Sequence, residues 1–155
     1  MTGTYRFQVM AAGIADAVMS IGGLIFDRAM AGWDVSVVVD GEPDRGVDHR
    51  PIKILGARVV TRSPDADDDR PNLLAVATDL MVRSDAVRRR VLEVGKGGET
   101  AVLLWGRHHP TTFGRTFVAA RHQPSAAAQV FKSQALMAGG MQASQRADEG
   151  FYSMA

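Results

Sequence analysis

The segment from Tyr5 to Asp40 constrains the fold more than any other, because a strand, a helix and a second strand follow one another without interruption. Tyr5–Ala11 alternates, with Tyr5, Phe7 and Val9 on one side and Arg6 and Gln8 on the other, the period of two expected of a strand. Ile14–Ala31 reads as a helix that stops at Gly32, a position where positive φ is cheap for glycine. Trp33–Asp40 reads Trp-Asp-Val-Ser-Val-Val-Val-Asp, the near-continuous β-branched run of a strand covered on both faces. Two strands joined by such a helix pair in parallel through a right-handed crossover. The chain is therefore predicted to be α/β: a single domain with a mainly parallel, Rossmann-like or flavodoxin-like sheet and flanking helices.

The alternation continues downstream. Ile52–Thr61, Asn72–Val82 and Thr100–Trp105 read as strands, and Asp85–Val94 and Ala126–Ala138 as helices opened by Ser84 and Ser125, good N-cap residues. Phe113–His122 reads as an antiparallel return at the edge of the sheet. The domain is expected over 1–140. Residues 141–155 read as a polar C-terminal tail, tipped by Phe151 and Tyr152, that docks on a partner.

Composition narrows the classes. With 155 residues, 46% of them hydrophobic, the chain can bury one core without covalent staples. It has no cysteine, which excludes disulfides and thiolate chemistry. The net charge of +1 gives no bulk attraction to nucleic acid or anionic membrane. No signal segment or spanning stretch is readable, so a cytoplasmic protein is expected. Fifteen Arg against three Lys is the bias of GC-rich bacterial coding.

The first helix is the most informative element. Ile14, Val18, Ile21 and Ile25 share one stripe, and Asp16, Ser20, Gly23 and Asp27 share the opposite one, which is narrow. A helix apolar over most of its circumference, with Gly22-Gly23 in its middle, gives up about 1 kcal/mol per glycine relative to Ala. Close approach of another backbone accounts for that. The neighbour is either the chain's own last helix or a second subunit, and Gly22, Gly23 and Phe26, with Phe151 and Tyr152, are the interface candidates.

Motifs of chemistry are sparse. Gly95-Lys96-Gly97-Gly98 follows a helix instead of preceding one, so it reads as a C-cap turn and not as a phosphate loop. The turn after the first strand has the single glycine Gly13, where a dinucleotide fingerprint needs three. Open parallel sheets bind ligands beyond the carboxyl ends of their strands. There the loop Gly106–Thr112 carries Arg107, His108 and His109, which with Arg115 and Asp40 are the candidates for holding an anionic, phosphate- or nucleotide-like ligand. Asp65, Asp67, Asp68 and Asp69 read as a solvated acidic loop without the spacing of a calcium site. No metal site and no cofactor are expected. Arg83, Arg88, Arg89 and Arg90 are the nucleic-acid candidates, with Arg89 and Arg90 turned outward, but no aromatic accompanies them and a solvated face is the favoured reading.

These features lead first to a non-catalytic interaction, regulatory or accessory subunit, acting as a homo-oligomer or within a larger complex. The alternatives are a small enzyme or sensor for an anionic small molecule, and a nucleic-acid-associated protein.

Overall fold

A computed structural model describes residues 4–39, 48–60, 70–108, 116–142 and 148–154. The elements run β1 (Arg6–Ala11), α1 (Ile14–Met30), β2 (Asp34–Val39), α2 (Arg50–Ile54), β3 (Arg58–Val60) and β4 (Leu73–Ala77). Then come α3 (Thr78–Arg83), α4 (Asp85–Lys96), β5 (Ala101–Trp105), β6 (Phe117–His122), α5 (Ala126–Ala138) and β7 (Glu149–Met154). They build one seven-stranded sheet in the order β3-β2-β1-β4-β5-β7-β6. Five strands are parallel, with Phe7 of β1 paired to Val35 of β2 and to Leu73 of β4. At the far edge β7 runs antiparallel to both β5 and β6. The predicted α/β architecture, mainly parallel with an antiparallel edge, is the one observed.

Strand order reverses between β1 and β4, and such a switch point opens a crevice at the carboxyl ends of the strands. The central strands are buried along their length, and Phe7, Ile21, Ile25, Ile52, Leu74, Leu104 and Leu136 fill the core between sheet and helices. α1 packs on α5 and α2, while α3 packs on α4.

Three expectations change. Ile52–Thr61 is not one strand: Pro51 opens the short helix α2, and Gly56 at φ +85° turns the chain into β3. Proline suits a first helical turn because its missing N–H has no partner there in any case. Asn72–Val82 is strand only to Ala77, and Thr78 begins α3. A continuous apolar run fits a buried strand and a buried helix equally well. Most consequentially, residues 149–154, read as part of a tail, form β7 inside the sheet. Phe151 is buried there and Tyr152 pairs with Leu104 and Ala119.

The glycines of α1 are accounted for within the chain. A Cβ on Gly23 would lie 2.6 Å from Cγ of Pro124 and 3.0 Å from Oε2 of Glu149, and one on Gly22 would lie 3.3 Å from Leu55 and 3.4 Å from Lys132. Phe26 is buried and stacks on Phe131 of α5, with ring centroids 4.6 Å apart. The interface candidates Gly22, Gly23, Phe26, Phe151 and Tyr152 thus all meet the chain's own elements. No helix among the described residues is long and apolar enough to cross a membrane.

Candidate active site

The turn from β1 into α1 places Asp16 in the first turn of the helix, three residues after its N-cap Gly13. A carboxylate suits that end of a helix, where free N–H groups and the dipole favour negative charge. Three donors fix it: the Ala12 N–H reaches Oδ2 at 3.1 Å, and the Ser20 hydroxyl and the Trp105 indole N–H reach Oδ1 at 3.1 and 3.0 Å. Ser20 lies one helical turn further on and so faces Asp16. Trp105 ends β5 and reaches over the end of β4 to do so. A carboxylate offers about four acceptor positions, so among the described residues one on Oδ2 has no donor.

The chain after β4 and β5 completes the edge. Gly106 has φ +133°, and a Cβ there would lie 2.3 Å from the Thr78 hydroxyl oxygen, so only glycine lets the two loops approach this closely. The same hydroxyl oxygen accepts from the His108 backbone N–H at 3.3 Å. Next to it, Asp79 Oδ1 is buried and lies 3.4 Å from His108 Nε2, with Oδ2 3.9 Å from Arg107. The first is a charge contact longer than a good hydrogen bond, and the second involves an arginine whose side chain is 89% exposed.

A cleft of about 270 Å³ adjoins Asp16, lined among others by Met19, Ser20, Trp105, Gly106, Lys132 and Glu149. Glu149 is buried at its floor. The N–H groups of Gly23 and Leu24, in the middle of α1, donate to Oε2 at 2.6 Å and Oε1 at 2.9 Å. The Lys132 ammonium lies 2.7 Å from Oε2, with side-chain exposures of 8% and 1% for the pair. Such burial is tolerable only where further hydrogen bonds satisfy the charges, and the two helix amides supply them to Glu149.

Among the sequence candidates for an anion site, the structure brings Arg107 and His108 to this edge but gives them Asp79 as a partner. His109, Arg115 and Asp40 lie outside the described residues. The arginines of α4 do not share a face. Arg88 pairs with Asp85, Arg89 is exposed, and Arg90 turns inward to donate to Oε1 of the buried Gln8 at 3.1 Å. Arg90 was expected to point outward, but Val87, Arg90, Val91 and Val94 are spaced i, i+3, i+4, i+7 and form one inward stripe, in which Val91 and Val94 are buried and Val87 and Arg90 half-buried. Asp16 was visible on the polar stripe of α1. Asp79, Lys132 and Glu149 were missed, since their partners are separated from them by 17 to 126 residues or lie on loops.

Among the described residues no three His, Asp or Glu side chains come together as a metal site. Among the same residues Asp16 is surrounded by hydrogen-bond donors and not by further lone pairs, which does not fit a cation.

No protein-family model matches the chain, and no curated protein matches it in sequence. Its fold matches solved structures. The N,N'-diacetylchitobiose deacetylase from Pyrococcus horikoshii superposes with a TM-score of 0.62 at 12% identity, over 96% of this chain and 83% of that one. A deacetylase of the teicoplanin biosynthesis pathway, in complex with teicoplanin, gives 0.58 at 15%, over 96% and 97%. The 4-carboxy-2-hydroxymuconate hydratase of Pseudomonas putida KT2440 gives 0.50 at 16%, over 97% and 95%. The likeness establishes the fold.

These findings correct the first functional expectation. A non-catalytic oligomeric or accessory subunit was inferred from an all-round apolar helix and an aromatic tail. Both are consumed inside the chain, and the neighbours in fold are deacetylases and a hydratase.

Proposed function

We propose that the protein is a hydrolase that removes an acyl group from an amine, working at the carboxyl edge of β1, β4 and β5. The observation that carries this reading is Asp16, fixed at the switch point of the sheet by three donors among the described residues, which leave one acceptor position on Oδ2. The names of the fold neighbours support it. Deacetylation adds water to an amide carbonyl and hydration adds water to a double bond, so both need an activated water.

In this reading the open position on Asp16 Oδ2 holds a water and accepts its proton as the oxygen attacks the acyl carbon. The carbon–nitrogen bond then breaks, and the leaving nitrogen takes a proton from the imidazole of His108, which lies beside Asp79. A free amine and a carboxylic acid result, and the two side chains return to their starting states by one proton transfer through solvent. A base and an acid on one edge are what such a reaction requires.

The test is release of primary amine and acetate from N,N'-diacetylchitobiose and simpler N-acetyl amines, followed by mass spectrometry. Asp16→Asn, which keeps the shape but cannot take the proton, is expected to lower the rate about 10²–10⁴-fold. Absence of amine release from every substrate, or wild-type rates in the variant, would overturn the assignment.

A further inference from the structure

The cleft beside Asp16 contains a group that the reaction above leaves unused. Its other polar lining groups are engaged. The Ser20 hydroxyl and the Trp105 indole N–H both donate to Asp16. Glu149 is held by two helix amides and by Lys132. Asp148, at the same wall, is paired with Arg121 at 2.7 Å. The Lys132 ammonium is different. It carries three N–H donors, and among the described residues Glu149 takes one while nothing takes the other two. Its side chain is 92% buried, since 8% remains exposed, yet it lines the cleft. A buried donor without an acceptor is unfavourable, and more so when it is charged. Among the described residues the cleft thus offers two charged donors beside a hydroxyl and an indole N–H that are already engaged.

Met19 of α1 and Trp105 of β5 line the cleft as well. An ammonium at the floor with a thioether and an indole at the sides fits a short alkyl chain ending in an oxygen: an acyl carbonyl, or the carboxylate of the acid released from it.

We propose that Lys132 is the acyl-oxygen-binding residue of this protein and that the cleft is a short-chain acyl pocket. The proposal rests on the hydrolase reading for its substrate, but the pocket itself can be tested without turnover. Lys132 is one of three lysines, and Lys53 and Lys96 are exposed, so side-chain ¹⁵N spectra of the wild-type protein have few lysine signals to resolve.

Titration with sodium acetate is expected to move the Lys132 ammonium signal saturably and to leave Lys53 and Lys96 in place. Sodium chloride at equal ionic strength is expected to move none of them. In Lys132→Met/Glu149→Gln, which removes both charges and so leaves no buried carboxylate unpaired, acetate should bind at least about tenfold more weakly, and Lys132→Arg should bind within a few-fold of wild type. A Lys132 signal indifferent to acetate, an equal response to chloride, or undiminished acetate binding by the double variant would overturn the proposal. The two readings separate cleanly. An acetate response at Lys132 in a protein that releases no amine supports the pocket and overturns the hydrolase, and amine release with a silent Lys132 does the reverse.

Discussion

Every position on the narrow polar stripe of α1 is occupied by a contact within the chain. Asp16 is held by Ala12, Ser20 and Trp105, Gly23 lies against Pro124 and Glu149, and Asp27 accepts from the Ser125 hydroxyl and N–H. The stripe itself was legible in the sequence from its spacing alone. Its partners on other elements were not, because Trp105, Pro124, Ser125 and Glu149 lie 89 to 126 residues away and no local period reports on them. The two glycines make this testable. Gly23→Ala drives a methyl into the Pro124 ring and should cost about 1–3 kcal/mol, despite the gain in helix propensity. Gly22→Ala meets only the movable side chains of Leu55 and Lys132, so it should cost at least about 1 kcal/mol less. Thermal melts of the two variants check the order.

At the level of elements, the carboxyl end of α1 is tied to the start of α5 and to β6 through Asp27. Burial pushes the Asp27 carboxyl up, but hydrogen bonds from the Ser125 hydroxyl and N–H and from His122, 2.9 Å away, outweigh it and hold it below its ordinary value of 3.8. A carboxyl depressed on folding contributes stability that is complete above its unfolded value and is lost as pH falls through the folded one. The wild type should therefore lose melting temperature below pH 3.8, and Asp27→Asn should lose less over the same interval. Melts on either side of that pH decide it. Ser125 also caps α5, accepting from Ala128 N–H at 3.0 Å. Ser125→Ala should cost about 1 kcal/mol for the cap and somewhat more for the lost bond to Asp27. The same elements show where sequence reading fails. Periodicity and capping located α4 and α5, but α3 was merged into a strand because Leu73–Val82 is apolar but for Thr78 and Asp79. β7 was passed over because Glu149 and Gly150 look like surface residues until Lys132 and the helix amides are placed beside them.

For the molecule as a whole, the parallel half of the sheet was readable from its first βαβ unit, since chirality and strand composition leave few topologies open. The antiparallel edge was readable as existing but not as ordered, because β6 pairs with a strand that follows it in the chain and not with β5. The candidate site was half legible. The strand-end rule pointed to the edge on which Asp16, Arg107 and His108 lie, while Lys132 and Glu149 meet only through the insertion of β7. Removing the residues after Gln142 should therefore abolish cooperative unfolding, as followed by circular dichroism, because it strips both β5 and β6 of their common partner and leaves Lys132 buried without its counter-charge.

That placement has a temporal side. Synthesis is vectorial, at about 5–20 residues per second, and β7 leaves the ribosome after the six other described strands. Until it does, β6 has no neighbour and β5 keeps an open edge, the type of exposed ladder that invites pairing with other chains. β7 also carries the carboxylate that anchors the cleft. An unfinished chain can hold Asp16 and Trp105, but it has no floor to its pocket, so the appearance of ligand binding during synthesis would mark the moment at which the sheet closes.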